Sequence, residues 1–281
     1  MKIIVFGGSG FIGTNFIKLF GAEENAYYSR HRSSELDDFG AKWIEGNILD
    51  EARVMDAVNG YDIIVAAAGT ADEKDESHFD VQVNGMKNIV KAIKKVDKDQ
   101  KLVYFSHINL EKGKTEYFRV KRVAEGNVQL VKNHLIVRPS FVFGDGDHIT
   151  SRILDMARQS MGKFPSDGDL SPVHVNDLIT VIKNSLETKG AINVSARKKL
   201  SFLDAINTAR SALGHHPAKP AGRLSRKSSI RKASEKGIFT PEEIGMFLLD
   251  YYRDNTMLLE RYVREPLSYV SFLENAARSK S

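Results

Sequence analysis

Three side chains in the middle of the chain have the types and spacing for acid–base chemistry on a carbonyl or an alcohol. Tyr117 and Lys121 stand four residues apart in a segment predicted to be helical, so their side chains share one face. A neighbouring cation stabilises tyrosinate and lowers the pKa of a phenol from about 10 toward neutrality, which makes Tyr117 a usable proton donor or acceptor. Ser106 follows a predicted strand, at the sheet edge where open α/β folds bind ligands, and its hydroxyl could hold a substrate carbonyl. Tyr-x-x-x-Lys alone is a weak signal that also fits an exposed tyrosine beside a surface lysine, but the strand, serine, loop and helix together are more specific.

A glycine-rich loop follows the first predicted strand. Gly7, Gly10 and Gly13 fit the spacing G-x-x-G-x-x-G, which lets the backbone turn tightly, approach a pyrophosphate and rest the phosphate on a helix N-terminus. No Gly-Lys-Ser/Thr follows, so this is not a Walker loop. The alternative is a glycine-rich turn that binds nothing. The dinucleotide contacts predicted in this loop come from Gly7, Ser9, Gly10, Phe11, Ile12 and Gly13.

The residues after the second predicted strand indicate which dinucleotide is bound. An NAD-binding fold would place an acidic residue here to hold the ribose 2′-hydroxyl, but this chain reads Ser29-Arg30-His31-Arg32. A guanidinium pairs with a phosphate in planar bidentate geometry, so Arg30 and Arg32 suit a 2′-phosphate. The sequence therefore predicts NADP as the cofactor in preference to NAD. The alternative is a solvated basic turn.

Predicted strands and helices alternate along the first two-thirds of the chain, which indicates a doubly wound, parallel α/β sheet of the Rossmann type. A smaller, mostly helical C-terminal subdomain is expected on the substrate side. The predicted dinucleotide-binding domain is 1–144 with 171–200, and the predicted substrate-side subdomain is 145–170 with 201–281. The strands after the second are predicted at Lys42–Glu45, Asp62–Ala66, Lys101–Phe105, His134–Arg138 and Ala191–Val194, and the longer helices at Glu51–Val58, His78–Lys95, Glu116–Lys132 and Ile149–Ser160.

Composition excludes several classes of protein. The 281 residues include no cysteine, so disulfides, thiolate zinc sites and thiol nucleophiles are excluded. No His, Asp or Glu group shows metal-ligand spacing, so no metal is predicted. The apolar run after Lys2 is too short for a signal-peptide core, and no apolar stretch approaches the ~18 residues of a membrane span. A cytoplasmic location is therefore expected.

These motifs resemble the short-chain dehydrogenase/reductase superfamily, in its extended or atypical branch, over about residues 1–200. The chain is similar to the nucleotide-binding accessory subunit of respiratory complex I and to small nucleoside-diphosphate-sugar epimerase-like reductases. The resemblance implies that Tyr117 donates the proton, that Lys121 also holds the nicotinamide ribose, and that Ser106 orients the carbonyl. The segments that carry it are Gly7–Gly13, Ser106, Tyr117–Lys121, Arg138–Gly144 and Val173–Asp177.

The chain also departs from the pattern of this superfamily. Asn47 replaces the acidic residue that contacts adenine, and its amide oxygen can still accept from the adenine amine. His107 occupies the place of a common second serine, and only ten residues separate Ser106 from Tyr117. The carbonyl pocket must therefore be built differently. The remaining predicted cofactor contacts are Asn47, Ile48, Ala67, Ala68, Gly69, Tyr117, Lys121, Pro139 and Ser140.

Three functions of different classes fit these observations. The favoured one is an NADP(H)-dependent oxidoreductase or epimerase that acts on a carbonyl or secondary alcohol through Ser106, Tyr117 and Lys121. The second is an NAD(P)-binding accessory or sensor protein without turnover. The third, and least favoured, is a nucleic-acid-binding member of the same fold.

A basic segment near the end of the chain is the only support for that third function. Residues 215–237 hold seven lysines and arginines against one acid, Glu235. The run has no aromatic residue between its arginines on which bases could stack, so nucleic acid is disfavoured as a partner. The expected partner is a small-molecule substrate, with an anionic or phosphorylated ligand and peripheral contact with an anionic membrane through 219–236 as options. A solvated connector is the equal alternative.

Overall fold

The structure is a computed structural model of the 281-residue chain. It describes residues 1–69, 77–96, 98–158, 163–164, 168–220 and 257–279. Most of the basic segment, 221–237, therefore lies outside the described residues, and its predicted role stays a prediction.

A seven-stranded sheet forms the centre of the fold, and the predicted Rossmann architecture is confirmed. The strand order is β11-β6-β5-β4-β1-β2-β3, and the first six strands in chain order pair in parallel. The order reverses between β1 and β4, which is where a doubly wound sheet binds its ligand. The strands are β1 (Ile3–Phe6), β2 (Ala26–Ser29), β3 (Lys42–Glu45), β4 (Ile63–Ala66), β5 (Lys101–Phe105), β6 (His134–Pro139) and β11 (Gly190–Val194).

Helices connect the strands of this sheet. The longer ones are amphipathic, and α4 places its apolar residues toward the core and its lysines toward solvent. The helices in chain order are α1 (Phe11–Phe20), α2 (Ser34–Asp38), α3 (Glu51–Val58), α4 (Gly85–Val96), α5 (Glu116–Val128), α6 (His148–Arg158), α7 (Val175–Lys183), α8 (Phe202–Ala212), α9 (Met257–Tyr262) and α10 (Tyr269–Ser279).

The central strands are buried on both faces. All four residues of β1 and of β4 are apolar and lie in the core, as expected where helices cover both faces of a parallel sheet. The buried strands present their carboxyl ends at one edge. The glycine loop follows β1, Ala67–Gly69 follow β4 and Ser106 follows β5, so the sheet gathers the predicted site residues at this edge.

The chain forms two compact units, and each has its own packing. The first is Met1–Leu110, Tyr117–Arg138 and Ile179–Ile192, and the second is Glu111–Glu116, Pro139–Leu178 and Asn193–Ser281. The predicted domain boundaries stay a prediction. The short strands of the second unit are β7 (Val142–Phe143), β8 (Lys163–Phe164), β9 (Asp169–Leu170), β10 (Val173–His174), β12 (Leu200–Ser201) and β13 (Lys219–Pro220).

In the second unit, α8 packs against both α6 and α10. The phenol of Tyr269 lies 3.2 Å from the Thr150 hydroxyl, and its ring packs on Phe141 and Phe143. This aromatic cluster ties the last helix to the two-stranded β7–β10 sheet.

The structure differs from the sequence-based expectation at several points. The predicted helix over His78–Lys95 contains a π-helical turn, Asp80–Asn84, before α4 begins. Val142–Phe143, where no strand is predicted, form β7, which pairs in parallel with β10. The subdomain predicted to be mostly helical includes Lys219–Pro220, which form β13 and pair with β8. Two-residue strands carry too few residues for a period-2 pattern, so the sequence does not reveal them.

None of the described helices is long and apolar enough to cross a membrane.

An ion pair links α5 to β6 beneath the sheet edge. Arg138 donates to both carboxylate oxygens of Glu125, whose side chain is 8% exposed.

We expect Arg138→Met to lower the free energy of unfolding by about 3 kcal/mol, because it leaves a buried carboxylate without its partner. The double variant Glu125→Met/Arg138→Met removes both charges, so its free energy of unfolding should fall by less than that of the single variant. Urea denaturation checks both, and a double variant less stable than the single one would contradict this account.

Candidate functional site

The centre of the candidate site is the buried ammonium group of Lys121. Its side chain is 7% exposed although lysine is almost always at the surface. Its Nζ donates to the carbonyl of Phe105, the last residue of β5, at 2.7 Å. The same nitrogen lies 4.9 Å from the ring centroid of Tyr104 and 5.9 Å from that of Tyr117. Helix α5 therefore directs this cation to the carboxyl edge of the sheet, as the Tyr-x-x-x-Lys spacing predicts.

Burial lowers the pKa of Lys121 to about 7, because the charged form loses its hydration. The carboxylate of Glu125 opposes this effect, since a nearby negative charge favours the ammonium form. Glu125 lies one turn further along α5, on the same face. The ammonium and neutral amine forms of Lys121 are consequently both accessible near neutral pH.

The ring of Tyr117 is held by aromatic neighbours from three segments. Phe118 contacts it at 5.3 Å between ring centroids, His107 at 6.0 Å and His78 at 6.3 Å, each with its ring close to perpendicular. Perpendicular aromatic pairs at these distances are favourable. The phenol ring is thus fixed in orientation, and its side chain remains partly exposed.

Ser106 is the first residue after β5, and its backbone N–H continues the sheet by donating to the carbonyl of Val137 at 2.8 Å. Its hydroxyl is buried and has no hydrogen-bond partner within the described part of the chain. A buried hydroxyl without a partner costs free energy. The position therefore fits a hydroxyl that is completed by a bound ligand.

His107 is buried and neutral. Its Nδ1 donates to the carbonyl of Ile108 at 2.6 Å, so Nδ1 carries the proton. Burial is the main cause that lowers the pKa of His107 to about 4, the hydrogen bond to the Ile108 carbonyl opposes the shift, and the charge of Lys121 contributes to it. The loop continues through Asn109, which is 2% exposed and adopts a left-handed φ of 54°. A strained, buried turn at a sheet edge is typical of functional loops.

The glycine loop is shaped by three close approaches. A Cβ on Gly7 would meet the backbone of Ala68 at 2.5 Å, one on Gly8 would meet Tyr27 at 2.3 Å, and one on Gly13 would meet the Gly7 carbonyl at 2.4 Å. The fold itself therefore requires glycine at these positions.

Gly10 is different. It is the N-cap of α1 with an ordinary φ of −83°, and a Cβ there would meet only the Gly7 carbonyl, at 3.3 Å. The fold does not demand glycine at this exposed position. A phosphate that rests on the N-terminus of α1 does demand it, because a methyl group would occupy the approach. The first turn of α1 holds no acidic side chain that would repel an anion.

A cleft of about 200 Å³ extends along this edge within the first unit, and nine residues predicted to bind the cofactor line it. They are Gly7, Ser9, Gly10, Arg30, Asn47, Ile48, Ala67, Ala68 and Gly69. The cleft runs from the helix N-terminus past the end of β2 to the loop after β3, which are the phosphate, ribose and adenine positions of a Rossmann site. This donor set fits a dinucleotide.

Five further residues line the same cleft and were not predicted: Tyr28, Ser29, His31, Gly46 and Val81. Tyr28 donates its hydroxyl hydrogen to the carbonyl of Asn47 at 2.9 Å. A Cβ on Gly46 would lie 2.1 Å from that hydroxyl, so Gly46 makes room for the bond. Burial raises the pKa of Tyr28 to about 12, which keeps the phenol neutral. In the sequence, Gly46 directly before Asn47 is the signal that could have predicted this close approach of Tyr28.

The side chain of Asn47 has a structural contact of its own. Its amide oxygen accepts from the backbone N–H of Leu49 at 2.9 Å. A carbonyl oxygen has two lone pairs, so the predicted bond to an adenine amine stays compatible with this contact.

Other residues predicted to bind the cofactor lie elsewhere. Arg32 pairs with Asp37 at 2.7 Å and does not line the cleft. Gly13 is buried under the loop. In the second unit, the Ser140 hydroxyl donates to the carbonyl of Ser171. The predicted residues outside this cleft are Phe11, Ile12, Gly13, Arg32, Tyr117, Lys121, Pro139 and Ser140.

Known proteins resemble this chain in sequence. Residues 4–134 match the model of the 3-beta hydroxysteroid dehydrogenase/isomerase family. A 2-alkyl-3-oxoalkanoate reductase of Stenotrophomonas maltophilia is 27% identical over 199 residues, which are 60% of this chain and 59% of that protein. Mitochondrial NADH dehydrogenase (ubiquinone) 1 alpha subcomplex subunit 9 of Dictyostelium discoideum is 23% identical over 202 residues, which are 66% of this chain and 55% of that protein. The chain thus spans less than two-thirds of the length of these relatives.

The fold as a whole recurs in solved structures. Triphenylmethane reductase of a Citrobacter species, solved in complex with NADP(H), superposes with a TM-score of 0.75 at 15% identity over 98% of this chain and 100% of its own. The WbmG enzyme of Bordetella bronchiseptica, solved in complex with NAD, superposes with a TM-score of 0.72 at 15% identity over 100% of this chain and 94% of its own. The resemblance to the extended short-chain dehydrogenase/reductase superfamily is confirmed. The similarity to the complex I subunit, expected from the same motifs, is found as well.

The two kinds of glycine in the loop make a testable pair. We expect Gly10→Ala to change the free energy of unfolding by about 1 kcal/mol or less, and to weaken the binding of NAD⁺ and NADP⁺ at least about tenfold by blocking the phosphate. Gly13→Ala should instead prevent stable folding, since its methyl group meets backbone. Thermal melting without ligand and calorimetric titration separate the two effects. Unimpaired dinucleotide binding by Gly10→Ala would contradict the assignment.

The buried lysine makes stability depend on pH. Because the folded pKa of Lys121 is about 7 and the ordinary value is 10.5, the unfolded chain binds more protons between these pH values, and stability rises with pH across that window. Lys121→Met should therefore be more stable than the wild type at pH 7, and the difference should shrink toward pH 10. Lys91→Met, at an exposed lysine paired with Glu51, is the matched control. Urea denaturation at several pH values measures the difference, and one that does not vary with pH would refute the explanation.

Proposed function

We propose that the protein is an NADP(H)-dependent oxidoreductase or epimerase that acts on a carbonyl or secondary alcohol. The observation that carries this proposal is the buried ammonium of Lys121 between the Tyr117 ring and the end of β5. Ser106 directly follows β5, and its buried hydroxyl has no hydrogen-bond partner within the described part of the chain. The match to a dehydrogenase family and the similarity to a 2-alkyl-3-oxoalkanoate reductase support the same class of reaction.

The roles of the three residues follow from their positions. Ser106 offers a hydroxyl that can donate to a substrate carbonyl. Tyr117 holds the proton that is exchanged with the substrate oxygen, and its ring orientation is fixed by its aromatic neighbours. Lys121 places a positive charge behind that phenol, which favours the tyrosinate that proton transfer creates. A bound nicotinamide cofactor supplies or accepts the hydride.

Several features support a nicotinamide dinucleotide as the cofactor. The cleft at the carboxyl edge joins the N-terminus of α1 to the ends of β2 and β3, and Gly10 leaves room for a phosphate. Arg30 lines this cleft at the ribose position, where an NAD-dependent protein would present a carboxylate. We therefore favour NADP(H), with a small molecule as the substrate and an anionic or phosphorylated one as the class to test first.

A second candidate is a dinucleotide-binding accessory protein without turnover. The specific observation in its favour is the similarity to the complex I subunit. Such a protein needs the cleft, and it can use Lys121 to hold the nicotinamide ribose, but it has no chemical need for the phenol hydroxyl of Tyr117. The two candidates therefore differ in what Tyr117 contributes.

The decisive variant is Tyr117→Phe, which removes one hydroxyl and keeps the ring. If the protein is an enzyme, we expect it to slow turnover by about 10²–10⁴-fold, as for a lost general acid, and to leave NADP⁺ affinity within about twofold. Turnover is measured as NADPH oxidation with 3-oxoalkanoates and other ketones, and affinity by calorimetry. Lys121→Met should lower both the turnover and the affinity for NADP⁺. Wild-type turnover by Tyr117→Phe would remove Tyr117 from the mechanism. A wild type that binds the dinucleotide and reduces none of the ketones would favour the accessory candidate.

A further inference from the structure

A pocket of about 480 Å³ lies within the second unit and shares no residue with the dinucleotide cleft. Most of its lining comes from three segments: the connection from β11 through β12, the helix α9, and the connection from α9 into α10. A volume of this size is typical of sites for small organic molecules. The proposed reaction at Tyr117 uses none of these residues.

Much of the pocket wall is apolar. Leu259 of α9 and Tyr269 of α10 line it as buried residues, and Leu200 of β12 is half-buried. Leu267, in the connection between the two helices, lines the pocket and is 53% exposed. The pocket therefore offers apolar surface that a ligand can cover, and covering it is favourable.

Hydrogen bonds hold this wall in place. The backbone N–H of Leu267 donates to the carboxylate of Asp177 at 2.9 Å, and the phenol of Tyr269 lies 3.2 Å from the Thr150 hydroxyl. Strand β12 pairs with β9. Because these contacts already fix the segments, a ligand would not have to order them when it binds.

Positive charges accompany the apolar wall. Arg197, Lys198 and Arg264 line the pocket together with a single acid, Glu260. Arg197 pairs with Glu260 at 3.1 Å. Lys198 and Arg264 are exposed, and neither forms an ion pair within the described part of the chain. The pocket thus has an excess of positive charge beside its apolar surface.

We propose that this pocket binds a small amphipathic anion, a carboxylate or phosphate group attached to an aliphatic or aromatic body. Lys198 and Arg264 hold the anionic group, and the body packs on Leu267 and its apolar neighbours. This inference goes beyond the proposed function and does not depend on it.

The two parts of the pocket act together. A guanidinium pairs with a carboxylate or phosphate in planar bidentate geometry, and a lysine adds a point charge. Exposed cations alone hold simple anions weakly in water. An apolar wall alone does not distinguish an anion from a neutral molecule. The pocket therefore favours molecules that carry both features.

The experiment is isothermal titration calorimetry of the full chain without dinucleotide. The four probes are octanoate, octyl phosphate, octanol and acetate. We expect at least one of the two octyl anions to bind, octanol to bind at least about tenfold more weakly because it lacks the charge, and acetate to give no measurable binding. The comparison of the two anions identifies the anionic group that the pocket prefers.

Three variants make the result specific. Lys198→Gln/Arg264→Gln should weaken binding of the preferred anion about tenfold and leave octanol binding unchanged. Leu267→Ser should weaken the anion and the alcohol alike, at least about threefold, because it removes apolar area. Lys199→Gln is the matched control, since Lys199 lies outside the pocket and pairs with Asp169 at 3.7 Å. It should keep the anion affinity within about twofold. Circular dichroism confirms that each variant is folded.

Several results would overturn the proposal. A folded wild type that binds neither octyl anion, or that binds octanol equally well, rules out recognition of an amphipathic anion. An unchanged double variant, or an equal loss in Lys199→Gln, rules out the assigned cations.

Titration of NADP⁺ into the same samples tests the proposed function separately. A wild type that binds NADP⁺ but neither octyl anion overturns only this inference. One that binds an octyl anion but no dinucleotide overturns only the proposed function.

Discussion

The position of one cation controls the rest of the site. Lys121 is buried where α5 meets the end of β5, and its ammonium is stabilised by the Phe105 carbonyl and two tyrosine rings. These contacts do not fully replace water, since burial still lowers the pKa of Lys121 to about 7. Glu125 supplies part of the missing compensation and is itself held by Arg138. The charges of Lys121, Glu125 and Arg138 therefore alternate in sign, and each carboxylate or cation is stabilised by its neighbour of opposite charge.

Two different constraints meet in the glycine loop. At Gly7 and Gly13 the surrounding backbone leaves no space for a side chain, so glycine there serves the packing of β1, α1 and β4. At Gly10 the space is open, so glycine there serves whatever approaches the helix N-terminus. Within one motif, Gly7 and Gly13 are therefore required for folding, whereas Gly10 leaves the helix N-terminus accessible to a ligand. The distinction is invisible in the spacing of the glycines and is a property of their surroundings.

The sequence predicts the sheet and the shared helix face of Tyr117 and Lys121 well because both depend on local patterns. Apolar runs identify the buried strands, and an interval of four residues fixes Tyr117 and Lys121 on one face. What the sequence cannot supply is the partner of a side chain. Arg32, which is predicted to bind a phosphate, pairs with Asp37 in the structure. The short helix α2 has too little periodicity for the sequence to predict that pair. His31 lines the cleft because two hydrogen bonds fix its turn, and neither bond leaves a pattern in the sequence.

The energetic balance of Lys121 bears on the choice between an enzyme and an accessory protein. A protein that used Lys121 neither for proton transfer nor for holding the ribose could place methionine or leucine at this position and gain stability, because the apolar side chain would fill the same space without losing hydration. The Ser106 hydroxyl adds a second cost, since it is buried without a partner within the described part of the chain. Natural sequences break the rules of stable packing mainly where function requires it. The buried Lys121 and the buried Ser106 hydroxyl are two such costs, and both lie at the end of β5. Proton transfer at the Tyr117 phenol explains the two together more readily than dinucleotide binding alone.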